Sequence, residues 1–213
     1  MSDLLCKELR LAAHPSLYVF MCMGALVLIP AYPYSVAFFF GCLGIFQSFM
    51  FDRETRDVFY TSLLPRPKRD VVKGKLLLAI FAQTVQLTLS LPFAFLRTLY
   101  LPDGSPVGMD PNAAWYGFGL MLYGIFNLVF FTRFYKTAYQ AGVSFLIALV
   151  PTALGIVFVE AVVHFPGMGW LDGVDGASLT RQLPILLAGA VLYAAANLLA
   201  YRAAAGRFER VDL

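Results

Sequence analysis

Residues 52–75 read DRETRDVFYTSLLPRPKRDVVKGK. No other stretch of the chain is both this long and this densely charged. It holds seven cations (Arg53, Arg56, Arg66, Lys68, Arg69, Lys73 and Lys75) against Asp52, Glu54, Asp57 and Asp70, and so carries as much net charge, +3, as the whole protein. Within it lie Val58-Phe59-Tyr60 and Leu63-Leu64, ended by the Pro65-Arg66-Pro67 turn. At helical spacing, Phe59, Tyr60, Leu63 and Leu64 form one apolar stripe. A basic loop resting on anionic lipid would account for the charge but not for the stripe. A short helix docking on a cytoplasmic protein accounts for both.

Either side of this insert the chain turns apolar. Of its 213 residues 60% are hydrophobic and only 14% charged, with a mean hydropathy of +0.72. Soluble domains are nearer half apolar and a quarter charged. The apolar residues fall in runs of about 20, the length a helix needs to cross roughly 30 Å of hydrocarbon. The expected fold is therefore all-α, a polytopic transmembrane bundle of six helices forming one domain over residues 1–213, since no Ser, Gly or Pro linker divides it. The spans are placed near 15–32, 34–51, 76–96, 113–131, 139–163 and 183–201. Pro92 and Pro151 fall inside spans three and five, where proline bends a helix, and Pro184 falls in a first turn, where it is tolerated.

Ahead of the first span, residues 1–14 suit an interfacial amphipathic helix. Leu4, Leu5, Leu9 and Ala12 lie on one side, and Lys7, Arg10 and His14 on another. A cleaved signal peptide is disfavoured, because no small-residue cleavage site follows the first apolar run. Basic residues favour the cytoplasmic side. With both termini inside, only Arg97 and Arg181 of the 16 Lys and Arg remain outside. Trp115 and Trp170 then fall at the outer boundary, where indole favours the headgroup region.

The motifs of an enzyme are missing. The chain contains no Gly-x-Ser-x-Gly and no His-Glu-x-x-His, and Gly74-Lys75 lacks the rest of a phosphate-binding loop. This chain is accordingly expected to be no enzyme and to bind no cofactor. Cys6, Cys22 and Cys42 form neither a disulfide framework nor a ligand cluster. Asp172-Gly173-Val174-Asp175-Gly176 reads as a turn, since it lacks the calcium-loop register. The polar residues within the spans are more informative. Gln83, Gln86 and Ser90 share a face of span three; Asn127 lies in span four and Asn197 in span six. Lipid offers their polar groups no partners, so they either bond helix to helix or line a translocation route. Glu160 is the most membrane-embedded carboxylate and shares a helix face with His164. It joins Gln83, Gln86, Ser90 and Asn127 as a candidate for the path. Ala196, Ala200 and Ala204 form a ladder for close helix packing.

Six spans with an N-terminal interfacial helix and a cytoplasmic insert between spans two and three resemble the small permease subunits of bacterial ATP-binding-cassette (ABC) exporters of the type-2 class. The insert matches that family's order at Asp52-Arg53-Glu54, Phe59, Ser62-Leu63-Leu64-Pro65-Arg66, Asp70-Val71-Val72 and Lys75. The resemblance implies a coupling helix seated in a groove of a separate ABC ATPase. Phe59, Tyr60, Leu63 and Leu64 would fill the groove with Pro65 ending the stripe, and Arg53, Arg56 and Arg66 would meet its acidic rim. It further implies two ATPase copies carrying ATP and Mg, a second identical or homologous permease, and a bacterial plasma (inner) membrane location, with no nucleic acid involved. The sparsely charged spans favour an amphipathic or hydrophobic cargo such as a peptide, antibiotic or lipid. Two other readings stay open: a motor-independent six-span scaffold or immunity-type protein, and an intramembrane enzyme requiring Glu160 or His164. The loop at 164–182 is short, so the helical hairpin that larger members place before the last span is expected to be reduced.

Overall fold

A computed structural model describes residues 2–29, 32–62, 67–100 and 108–211, with the backbone alone for 2, 3 and 62. The described residues are helical throughout, with no strand among them. Five helices are long and apolar enough to cross a membrane: α3 (Val36–Thr55), α5 (Lys68–Tyr100), α6 (Ala113–Phe134), α7 (Ala141–Val162) and α8 (Gly176–Phe208). Three shorter helices complete the set, α1 (Ser2–Lys7), α2 (Pro15–Met21) and α4 (Asp57–Ser62).

The N-terminal region differs most from a plain membrane span. α1 runs on as a wider π-helical turn to Ala12, and α2 runs on as a 3-10 helix, Cys22–Leu28. The two segments meet at 106°, so the count of spans is five, or six if this bent pair is one. His14 makes the corner: its Nδ1 accepts from the Ser16 N–H at 3.2 Å, and Pro15 takes the first helical position. Seven α-helical and seven 3-10 residues rise only about 25 Å, less than the hydrocarbon thickness. The span expected at 15–32 is thus short and changes helix type midway.

α6 occupies the middle of the bundle. It packs most extensively on α8 and next on α7, while α5 lies against the 3-10 segment, α2 and α8. Small residues bring α6 and α8 together. A Cβ added to Gly189 would sit 2.2 Å from the Gly117 carbonyl oxygen, and one added to Gly124 would sit 3.1 Å from Ala196 Cβ. Ala200 and Ala204 are buried, as the alanine ladder requires. Toward the end of the bundle that carries the insert, the core turns aromatic: Phe49 meets Phe130, Phe131 and Phe134 edge-on with centroids 4.9, 5.4 and 4.7 Å away.

Trp115, third residue of α6, is buried against Phe38, ring centroids 4.4 Å apart, so its indole packs inside the bundle. One reading from the sequence is corrected. α8 starts at Gly176, so Pro184 falls two turns inside it instead of in its first turn. The helices continue through Pro92 and Pro151. Between α7 and α8 the described structure holds a single 3-10 turn, Gly169–Leu171.

Candidate functional site: an ion-locked insert and a polar core

The insert is fastened to the bundle by charge. α3 ends at Thr55, Arg56 takes a left-handed conformation (φ 54°), and α4 starts at once with Asp57. Left-handed backbone reverses the chain in the least length, at a cost of about 1–2 kcal/mol for a non-glycine residue. That reversal brings Asp57 under the start of α5. There the Lys75 ammonium lies 2.6 Å from Asp52, 2.7 Å from Glu8 and 2.9 Å from Asp57. Lys7 adds a second cation, donating to both Asp57 oxygens at 2.9 Å, to the Thr61 hydroxyl at 3.0 Å and to Glu8 at 3.1 Å.

Four segments distant in sequence therefore meet at one point: the N-terminal helix, the end of α3, the insert helix α4 and the start of α5. Lys75 is wholly buried, and Glu8 and Asp52 nearly so. Burial alone would raise the Asp57 carboxyl, but the ammoniums of Lys75 and Lys7 outweigh it and hold that group below its ordinary value. Gly74 lets Glu8 approach, since a Cβ there would stand 3.2 Å from Glu8 Oε1.

Beside this lock, Asp52, Arg53, Arg56, Phe59, Phe134 and Tyr139 line a cavity of about 220 Å³. The Arg53 guanidinium lies 5.9 Å over the Tyr139 ring. Of the expected docking stripe, Phe59 is 39% and Tyr60 61% exposed. Leu63, Leu64, Pro65 and Arg66 lie outside the described residues.

The transmembrane polar residues find one another. Gln83 and Asn127 exchange amide hydrogen bonds, Nε2 to Oδ1 and Nδ2 to Oε1, each 2.9 Å. Asn127 Nδ2 also donates to Asn197 Oδ1 at 2.9 Å, and the Tyr193 hydroxyl donates to Gln83 Oε1 at 2.8 Å. One helical turn along α5, Gln86 donates to the Ala37 carbonyl at 2.7 Å and accepts from Tyr123 at 2.5 Å. Ser90 shares a 2.9 Å hydrogen bond with Tyr116. This ladder joins α5 to α3, α6 and α8. Tyr116 also lines a wider cavity, about 530 Å³, with Leu91, Ala94, Phe95, Val174 and Leu186.

At the far end of the bundle a second buried ion pair replaces what the sequence suggests is a loop-edge charge. Arg97 is 1% exposed, and its guanidinium lies 2.6 Å from Asp110 and donates to the Tyr34 hydroxyl at 2.7 Å. Asp110 in turn donates its N–H to Asp172 at 2.6 Å. Asp172 therefore works as a tie between loops, and Asp175 as the N-cap of α8, accepting from Ser178 N–H at 3.1 Å. Glu160 accepts from the Met109 N–H at 2.9 Å. No hydrogen bond joins Glu160 to His164 among the described residues, and no group of metal-ligating side chains occurs among them.

The family model described as ABC-2 family transporter protein matches residues 3–201. The chain belongs to the ABC-2 transporter family. It is thus a permease subunit of an ABC transporter and an integral membrane protein, and membership of the family implies association with an ABC ATPase. No curated protein and no solved structure matches this permease. Its ion lock was not evident in the sequence. Glu8 and Lys75 lie 67 positions apart, and each belongs to a segment whose charge pattern reads as solvated.

Proposed function

We propose that this permease exports an amphipathic or hydrophobic substrate, with the 52–75 insert receiving the stroke of a separate ATPase. The observation that carries the reading is the ion lock. A segment meant to transmit force must be rigidly joined to what it moves, and α4 is tied by Asp57 to Lys75 of α5 and to Lys7 of the N-terminal helix. Phe59 and Tyr60 present aromatic area on the same short helix, next to Arg53 and Arg56. ATP with Mg would bind the ATPase, present in two copies, and a second permease would complete the pathway. Both termini and the insert would face the cytoplasm of a bacterial cell, with the bundle in its plasma membrane.

In this reading closure of the ATPase pair pushes α4, and the lock passes the motion to α5. Two states with different affinity for the motor are all that is required. The apolar cavity lined by Phe95, Tyr116 and Leu186 suits an amphipathic cargo entering sideways from lipid. Gln83, Gln86 and Asn127 hold helices together here and would line a route only after their hydrogen bonds to neighbouring helices break. Ser90 stands nearest the cavity through Tyr116.

Co-purification of the tagged permease with its ATPase tests the proposal. Phe59→Asp with Tyr60→Asp, and separately Leu63→Asp with Leu64→Asp, should abolish recovery of the ATPase while membrane insertion stays intact. An ATPase that still follows both double variants would move coupling elsewhere in the chain.

A further inference from the structure

Around the insert end of the bundle the buried charges are paired. Glu8, Asp52 and Asp57 surround Lys75, and Asp57 and Glu8 also serve Lys7. Arg69 forms a bidentate pair with Glu209, at 2.5 and 3.2 Å. Lys68 donates to the Val211 carbonyl at 2.6 Å and lies 5.7 Å over the Phe208 ring. Several exposed cations, Arg10, Arg56 and Arg202 among them, make no salt bridge among the described residues, and four such cations share one concavity. Arg133, Lys136, Arg207 and Arg210, with Val211, line a cavity of about 340 Å³ between the ends of α6 and α8. Among the described residues none of these four makes a salt bridge. Glu209, adjacent in sequence, is turned to Arg69.

A simpler account is that cations at helix C-termini complement the macrodipole. Arg207 does this, donating to the Thr132 carbonyl at 2.6 Å. One carbonyl contact does not balance four positive charges converging on one concave site. Four cations around one concavity suit an anion with several oxygens, which guanidinium groups bind through paired donors.

We propose that this cavity holds the phosphate of an anionic phospholipid. Position decides for lipid over a soluble anion. Arg133 follows directly on the apolar run of α6, so the cavity opens where the membrane-spanning surface ends. On α8 the exposed apolar side chains Leu192, Leu198 and Leu199 lead along the helix toward Arg207. A phosphodiester seated among the cations would leave its acyl chains beside those leucines. The site is separate from the coupling surface, and its test does not rest on the export reading.

The test uses the purified full-length permease in mild detergent. It is titrated with phosphatidylglycerol or with phosphatidylcholine of the same chains, and retained lipid is read by native mass spectrometry. Phosphatidylglycerol should be retained selectively. Arg133→Gln with Lys136→Gln should weaken that retention by about 30-fold, since each basic residue near the surface contributes a factor of roughly five, without moving the thermal midpoint. Arg202→Gln, a cation of α8 outside the cavity, should leave it unchanged. Equal retention of both lipids would overturn the proposal, as would an equal loss in Arg202→Gln. Displacement by millimolar inorganic phosphate would mark a soluble-anion site instead. Loss of the ATPase in the paired variant with lipid retention intact would mark a protein-binding patch instead.

Discussion

Lys75 shows how one residue can be misread from its surroundings. In sequence it closes a basic insert and looks solvated; in the fold it is the buried centre of three carboxylates. Removing a buried cation leaves its partners uncompensated, which costs about 3–5 kcal/mol. Lys75→Met should lower unfolding stability in detergent by that order, and Lys75→Arg should recover part of it. Asp57 gives the same site a pH signature. Its carboxyl is held below its ordinary value. Its contribution is therefore present above the unfolded value of about 3.9 and lost as pH falls through the lower folded value. Stability measured from pH 6 downward should fall below about pH 4, and Asp57→Asn should flatten that part of the curve. The polar residues inside apolar runs were marked in the sequence as needing partners. A glutamine or asparagine surrounded by Leu and Phe has no partner in lipid, so Gln83, Gln86, Ser90, Asn127 and Asn197 had to meet something. Whether that was each other or a water path depends on contacts between helices, which a single chain's pattern does not encode. The burial and pairing of Arg97 escaped notice for a related reason: its partners Tyr34 and Asp110 lie on other segments.

Helices declared themselves through apolar length, and their ends did not. α5 and α8 are each 33 residues long, well beyond what the bilayer requires, because polar turns of helix continue past the hydrocarbon at the ends. Apolar length alone therefore started the last helix too late and put Pro184 in its first turn. The N-terminal region was harder still, since a 3-10 stretch keeps the apolar composition of a span while changing its rise. Between α6 and α8 the contact is made of glycine and alanine. Gly189→Ala should force the backbones apart or strain them, at roughly 1–3 kcal/mol. A lowered thermal midpoint with helicity retained would check this. The amide ladder predicts a smaller effect. A double-mutant cycle on Gln83→Leu and Asn127→Leu should give a coupling near 0.6 kcal/mol and below about 1.7. A value near zero would mean the two amides find other partners.

At the scale of the molecule, α5 is tied at both ends. Lys75 and Arg97 are 22 residues apart, each in a buried ion pair with residues outside α5. A helix fixed in this way moves as one body and takes the segments at each end with it. Arg97→Gln should then reduce transport even though it lies at the opposite end of the bundle from the insert, with ATPase co-purification preserved. Transport and pull-down measured on the same preparation would separate the two effects.

Those two ties also act as a ruler. Twenty-two residues of α-helix rise about 33 Å, so the distance between the fixed charges is close to the thickness of a sterol-free bilayer's apolar slab plus a few ångströms. Phospholipids with short tails, leaving a slab of about 27 Å, would oblige the helix to lean further or the surrounding leaflet to swell. The chain-length composition of its membrane would thus set how easily this permease works, before any substrate is considered.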